Sequence, residues 1–137
     1  MDSEIKVREV MMKGPVTLQS GDILDLANDV MTLGRIRHLP ILDNGKVVGV
    51  LSQRNLFHSA LVTALGIRPK ERKELLKAIR VNEVMSAPVI TVSPDARLKE
   101  AARMMMEKKI GCLPVVENDT LVGLLTESDI LRYVATL

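Results

Sequence analysis

The sequence is poor in aromatic residues and in cysteine, and both shortages exclude classes of function. Phe57 and Tyr133 are the only aromatic side chains among 137 residues. Proteins that bind single-stranded nucleic acid or free bases commonly stack the bases on aromatic rings, so this mode of binding is not expected here. The single cysteine, Cys112, excludes an intrachain disulfide and a metal site built from several cysteines.

Long apolar runs and a strong imbalance of charge are also missing. The first twenty residues are mixed and charged, unlike a signal peptide, and no apolar run is long enough to span a membrane. The net charge of +2 gives no case for nucleic acid or an anionic membrane as a partner. A cytoplasmic globular protein is therefore expected, and the 47% of apolar residues suffices for a core.

An internal repeat is the main positive signal. The offset of 74 residues that separates Met11 from Met85 also aligns residues 36–56 with residues 110–130 without a gap. Seven of these 21 aligned positions are identical. Two fused copies of one supersecondary unit explain this pattern.

Each copy has the pattern strand, helix, strand, hairpin, strand, helix, which predicts an α+β fold. Val10-Met11 and Val84-Met85 indicate the start of an apolar strand, and residues 15–18 and 89–92 predict short β-branched strands. Ser20 and Ser93 are the expected helix starts. Residues 39–42 and 46–51 form one predicted hairpin, and residues 113–116 and 120–125 form the other.

We place the first copy at residues 1–66, a basic helical connector at 67–80 and the second copy at 81–137. The connector has an apolar face that includes Leu75, Leu76 and Ile79. We expect this face to pack on the body of the protein. A docking surface for an acidic partner is the alternative interpretation.

The last predicted strand of the second copy runs into a helix through Thr126 and Asp129. A helix start presents unpaired N–H groups and a positive dipole end, which suit an anion. A hydroxyl there can bond phosphate, and a carboxylate one turn later can accept from a ribose diol. A capping box, in which the two side chains only close the helix start, explains the same spacing. Both interpretations remain open for these residues.

The ordered set of motifs resembles the cystathionine β-synthase (CBS) domain. Each copy has a Val-Met opening, a strand with threonine, Leu-Pro-Ile or Leu-Pro-Val, a hairpin, and a glycine strand ending in Ser/Thr-x-x-Asp/Asn. The tandem pair, which covers nearly the whole chain, resembles a stand-alone Bateman module. The resemblance implies two CBS repeats of β-α-β-β-α type related by a pseudo-twofold axis.

The resemblance also implies a composite cleft that binds an adenosine-containing ligand, which we call the first cleft. Its residues would be Thr126 and Asp129 with Ile36, Arg37 and His38, and with Lys13 and Gly14 nearby. In it, Asp129 would accept from the ribose, and Arg37 and His38 would donate to phosphate.

The resemblance implies a second, weaker composite cleft, which takes its helix start from the first copy. Its residues would be Ser52 and Asn55 with Ile110, Gly111 and Cys112, and with Ala87 nearby. An amide at position 55 accepts more weakly than the carboxylate of Asp129, and positions 111 and 112 are neutral. The first cleft is therefore expected to dominate.

By this resemblance the protein is a regulatory module for AMP, ADP or ATP, with S-adenosylmethionine as another candidate, and its protein target is unknown. A structural dimerisation module with degenerate clefts is the alternative. The sequence contains no metal-ligand set, no nucleophile–base pair and no Walker loop, so we predict neither an enzyme nor an obligatory cofactor. We expect a homodimer that packs through helices carrying Val30, Met31, Met104 and Met106.

Overall fold

The computed structural model describes residues 5–56 and 69–137, except for the side chains of Pro69 and Arg72. The chain divides into two compact units. The first unit is Val16–Val89, and the second unit is Met1–Pro15 together with Ile90–Leu137. Each unit has a three-stranded sheet with helices, so the predicted α+β class with two repeats is confirmed.

Short helices and strands alternate along the whole described chain. In chain order they are α1 (Val7–Val10), β1 (Met12–Lys13), β2 (Leu18–Gln19), α2 (Leu24–Gly34), β3 (His38–Asp43), β4 (Lys46–Ser52), α3 (Pro69–Ala78), a 3₁₀ turn (Val81–Glu83), α4 (Leu98–Lys108), β5 (Cys112–Glu117), β6 (Thr120–Thr126) and α5 (Glu127–Ala135). Residues 53–56 are also helical. The sheet of the first unit has the order β2-β3-β4, and that of the second unit has the order β1-β6-β5.

Both predicted hairpins are confirmed, with matching registers. Leu39 lies opposite Leu51 in the first unit, and Leu113 lies opposite Leu125 in the second. The two turn residues of each hairpin have positive φ: Asn44 and Gly45 in the first, Asn118 and Asp119 in the second. Positive φ at both positions defines a type I′ turn, which matches the twist of the strands it joins.

The opening segment of each sequence copy packs in the unit that holds the other copy's sheet. Strand β1 pairs with β6 of the second unit, and Ser86 forms a bridge with Val50 of the first. The sequence indicated that the Val10-Met11 and Val84-Met85 pairs begin longer strands, and this was wrong. Val10 is the last residue of α1, and Val84 and Met85 follow the 3₁₀ turn. The boundaries of the compact units therefore differ from those of the sequence copies.

A glycine in each sheet makes room for a methionine of the exchanged opening segment. A Cβ atom added at Gly123 would lie 2.5 Å from Met11 Sδ and 2.9 Å from the Met12 carbonyl oxygen. A Cβ added at Gly49 would meet Met85 Sδ and the Ser86 carbonyl oxygen at the same distances. Only glycine leaves room for the opening segment at these strand positions.

The first strand and the helix starts differ from the sequence prediction. Residues 15–18 contribute only Leu18 to β2, and residues 89–92 contribute one bridge, from Val92 to Val115. Helices α2 and α4 begin at Leu24 and Leu98, and Ser20 and Ser93 are not their N-caps. The exchanged chain supplies the acceptors instead: Leu24 N–H donates to the Ile79 carbonyl, and Leu98 N–H donates to the Ile5 carbonyl, both at 2.7 Å.

The two hydrophobic cores follow the repeat. Each of the eight buried residues of the second core has its counterpart 74 positions away in the first. The second core contains Val7, Val92, Leu98, Ala101, Met105, Leu113, Val115 and Leu125. Val7 lies in the second core and Val81 in the first, because the opening segments are exchanged. The fold thus repeats in its interior as well as in its strands.

Helix α3 packs on the first core as expected of the connector. Leu76 is 3% exposed and belongs to that core, and Ile79 packs against it.

The expected dimer surface needs one correction, because Met31 is 2% exposed within the first core and cannot form an intersubunit contact. Met106, by contrast, is 79% exposed.

Candidate ligand site

The junction between β6 and α5 is closed by the side chains of Thr126 and Asp129. Asp129 Oδ2 accepts from both the Thr126 N–H and the Thr126 hydroxyl, each at 2.9 Å. The Asp129 N–H donates to Thr126 Oγ1 at 3.3 Å. This is a complete capping box, and Asp129 is only 7% exposed. The capping interpretation of this spacing is confirmed, and a ligand role would be additional to it.

The cap leaves little capacity for a bound anion at this helix start. The Thr126 and Asp129 N–H groups are used by the cap, and the Glu127 N–H donates to the Gly111 carbonyl at 3.1 Å. Of the four N–H groups that a helix start normally leaves unpaired, at most that of Ser128 remains for a ligand. The junction is better suited to accept hydrogen bonds than to donate them to phosphate.

Arg132 takes part of the remaining accepting capacity. Its Nη1 atom lies 3.2 Å from Asp129 Oδ1, and its side chain is 72% exposed. Because the pair is three residues apart on α5, it lies on one face of the helix. Arg132 was not among the residues predicted from the sequence, although its spacing of three residues from Asp129 indicates a contact on one helix face.

Lys13 and Gly14 lie further from this junction, because the antiparallel register of β1 carries them toward the middle of β6. Their predicted place near Thr126 stays a prediction. Lys13 is paired with Gly123 across the β1–β6 ladder, three residues before Thr126. Gly14 has φ of +57°, and nothing lies within 4 Å of a Cβ built on it. An exposed lysine side chain and an open backbone segment thus lie next to the middle of β6 within the second unit.

Gly111 and Cys112 also lie at this junction, within their own unit. Their predicted grouping with Ser52 and Asn55 in the second cleft stays a prediction. Cys112 is paired with Thr126 across the β5–β6 ladder, and Gly111 accepts the Glu127 N–H. Burial raises the pKa of the Cys112 thiol to about 12, and the nearby Glu127 carboxylate adds to the rise. Cys112 is therefore a small buried residue rather than a reactive thiol, as expected.

The equivalent junction of the first unit has the same geometry with a neutral acceptor. Asn55 Oδ1 accepts from the Ser52 N–H at 2.9 Å and from the Ser52 hydroxyl at 2.7 Å. The Asn55 N–H donates to Ser52 Oγ at 3.0 Å. Ser86 Oγ approaches Asn55 Oδ1 at 3.5 Å, and the predicted Ala87 follows it in the chain. Ser86 was not foreseen, because only the exchanged segment brings it here.

His38 and Arg37 lie against this first-unit junction. His38 is paired with Ser52 across the β3–β4 ladder, and the Arg37 carbonyl accepts the Gln53 N–H at 2.8 Å. Ile36 and Ile110 pack against the cores of their own units. The structure thus joins the predicted residues within each unit, while the composite grouping of Ile36, Arg37 and His38 with Thr126 stays a prediction.

Within residues 5–56 and 69–137, no group of three or more His, Cys, Asp or Glu side chains is placed to hold a metal ion. None of the helices in those ranges is both long enough and apolar enough to cross a membrane.

A family profile for the CBS domain matches residues 7–61 and 81–136. These two matches cover most of the chain and coincide with the two repeats. The chain belongs to the CBS domain family. The predicted tandem CBS pair is thereby confirmed, and the CBS assignment explains why both junctions share one geometry.

Solved structures of CBS proteins share this fold over nearly the whole chain. A Vibrio cholerae protein named for acetoin utilization (AcuB) is 39% identical, with 96% of this chain and 91% of that chain covered and a TM-score of 0.78. The CBS domain pair of protein MJ0100, in complex with 5′-methylthioadenosine and S-adenosyl-L-methionine, is 27% identical, with 96% of both chains covered and a TM-score of 0.77.

Some relatives contain a CBS pair within a much longer protein. The uncharacterized protein MJ1404 of Methanocaldococcus jannaschii is 29% identical over 140 residues, which cover 98% of this chain but 33% of that protein. The chain thus spans a third of the length of this curated relative.

Proposed function

We propose that this CBS pair is a regulatory module that binds an adenosine-containing ligand, with Asp129 accepting hydrogen bonds from the ribose. The observation that carries the proposal is the state of the Asp129 carboxylate. One oxygen is fixed by the cap, and the other contacts the exposed Arg132 side chain and can accept from a ligand. Its geometry is fixed before any ligand arrives, which lowers the entropic cost of recognition.

Two independent lines support adenosine as the recognised part. The β6–α5 junction offers acceptors and at most one free N–H group, which suits a diol better than a phosphate. The related MJ0100 pair binds 5′-methylthioadenosine and S-adenosyl-L-methionine, which share an adenosyl group and carry no phosphate. AMP, ADP and ATP carry the same adenosine, and the basic side chains proposed to meet their phosphates are those of Arg37 and His38, with Lys13 nearby.

The proposed action is regulatory rather than catalytic, as is general for CBS pairs. A ligand that binds one conformation of the pair more tightly shifts the population toward that conformation. A protein target or a second subunit would then respond to the shift. Ligand identity is thus converted into a change of conformation without any covalent step.

Thermal-shift measurements test the proposal. Adenosine, 5′-methylthioadenosine, S-adenosylmethionine, AMP and ATP are each added to the purified protein, with guanosine and GMP as controls. A ligand at 100 times its Kd stabilises the folded state by about 2.7 kcal/mol. We expect at least one adenosine compound, but neither guanosine compound, to raise Tm by several degrees. The absence of any adenosine-dependent shift would refute the proposal.

A structural dimerisation module with empty clefts is the second candidate, favoured by two observations. Both capping boxes are already satisfied without a ligand, and Leu33 and Met106 are exposed at 85% and 79%. Such apolar side chains are often buried between subunits. Sedimentation with and without the adenosine compounds separates the candidates, since a purely structural dimer would be indifferent to them.

A further inference from the structure

The acceptor sites of Asp129 can be counted, and too few are free for a ribose diol. A carboxylate has about four lone-pair sites, two on each oxygen. The N–H and the hydroxyl of Thr126 occupy both sites on Oδ2, and Arg132 Nη1 occupies one on Oδ1. One acceptor site is left, whereas a ribose diol brings two hydroxyl donors.

We propose that Arg132 is an internal competitor for the ribose-binding carboxylate, so that a diol binds fully only after the guanidinium leaves Asp129 Oδ1. The inference rests on the proposed function and adds a specificity-determining residue to it. Asp129 is 7% exposed, whereas Arg132 is 72% exposed. The carboxylate is therefore fixed, and the guanidinium is the group that can move into water at little cost.

Arg132 lowers the affinity for the ligand in proportion to the strength of its ion pair with Asp129. Ion pairs with an exposed partner contribute about 0.2–1 kcal/mol, which corresponds to a factor of roughly 1.5 to 5 in affinity. Salt screens such a pair, so high ionic strength removes the competition. Binding of an uncharged nucleoside to the wild-type protein should thus strengthen with salt more than binding to a variant without Arg132.

The same ion pair has a simpler interpretation as a contact that only stabilises α5. Acidic and basic residues three or four positions apart on a helix commonly stabilise it by a small amount. A stabilising contact alone would change Tm slightly and leave ligand affinity and its salt dependence unchanged. These two properties therefore separate the interpretations.

The experiment measures binding of 5′-methylthioadenosine by isothermal titration calorimetry at low and high salt. The variants are Arg132→Met, Arg132→Lys and Asp129→Asn. Arg103→Met is the control for net charge, because Arg103 is exposed on α4 and makes no ion pair with the described residues. Adenosine serves as a second uncharged probe.

We expect Arg132→Met to bind the probe about 1.5 to 5 times more tightly at low salt, with the difference from wild type vanishing at high salt. Arg132→Lys should lie between the two, and Arg103→Met should match wild type. If Asp129→Asn weakens binding but Arg132→Met behaves as wild type, the competitor role is refuted while the ligand site stands. If neither uncharged probe binds the wild type, or Asp129→Asn binds as wild type, the competitor role and the ribose role of Asp129 are both refuted.

Discussion

Substitution of Gly123 by alanine tests the exchange of opening segments most sharply. The new Cβ would lie 2.5 Å from Met11 Sδ and 2.9 Å from the Met12 carbonyl oxygen. The methionine side chain can move aside, but the carbonyl belongs to β1, which is paired with β6 at Met12 and Lys13. The clash must therefore be relieved by moving backbone, and overpacking of this kind costs about 1–3 kcal/mol.

We expect Gly123→Ala to lower the free energy of unfolding by about this amount and Tm by roughly 4–12 °C. Urea titration followed by circular dichroism gives the free energy, and differential scanning calorimetry gives Tm. Gly21→Ala is the matched control, because a Cβ at Gly21 would meet nothing within 4 Å. Adding Met11→Ala should recover only part of the loss, since the carbonyl contact remains.

Equal stability of Gly123→Ala and Gly21→Ala would contradict this close approach of the opening segment to Gly123. It would mean that Met12 does not approach β6 as described. Gly49→Ala should repeat the loss, because Met85 and the Ser86 carbonyl lie equally close to its added Cβ.

Further predictions concern the hairpin turns and the buried thiol. Asp119→Gly should stabilise the protein by about 1 kcal/mol and Gly45→Asp should destabilise it similarly, as measured by urea unfolding, because both positions have positive φ; opposite signs would contradict the I′ assignment. Cys112 should react with Ellman's reagent at pH 8 far more slowly than free cysteine, and rapid labelling of the folded protein would contradict its burial. The pKa of the Cys112 thiol is about 12 in the folded protein, against an ordinary value of 9.0. The stability that the buried neutral thiol contributes is therefore complete below pH 9 and is lost as the pH rises toward 12. Cys112→Ala should accordingly lose less stability than wild type at alkaline pH.

The hairpins and cores could be predicted because their signals are local. Asn44-Gly45 and Asn118-Asp119 mark the turns, and the short apolar runs on either side mark strands with several consecutive buried residues. The buried positions then repeat at the same offset as the sequence. Here the local preference and the tertiary fold agree, so the sequence is sufficient.

The exchange of opening segments could not be predicted from local signals. In the sequence, Val10 and Met11 are followed by the rest of the first copy, but no local signal shows which of the two sheets this segment joins. The helix starts were wrong for the same reason: a distant backbone carbonyl, that of Ile5 or Ile79, does what Ser93 or Ser20 was expected to do. A large methionine and a glycine recurring in each copy were the available clue.

The candidate site was predicted in part. The Thr126–Asp129 and Ser52–Asn55 pairs follow from capping-box spacing, which depends only on neighbours along the helix. Arg132 follows from the same helical spacing, whereas Ser86 depends on the exchange. The capping boxes use two N–H groups of each helix start, and a third donates to the carbonyl of Gly111 or Arg37. The sequence could not show this third hydrogen bond, because its acceptor is distant in the chain.

Calorimetric titration of 5′-methylthioadenosine and AMP into wild type, Asp129→Asn and Asn55→Ala tests whether Asp129 accepts hydrogen bonds from the ribose. Asparagine closes the same capping box at position 55, so Asp129→Asn removes the charge and keeps the helix start. Losing a hydrogen bond to a charged acceptor costs about 1.5–3 kcal/mol, so we predict a ten- to hundredfold weaker Kd for Asp129→Asn and less than a twofold change for Asn55→Ala. Equal losses in both variants, or none in Asp129→Asn, would contradict the assignment of Asp129 as the ribose acceptor.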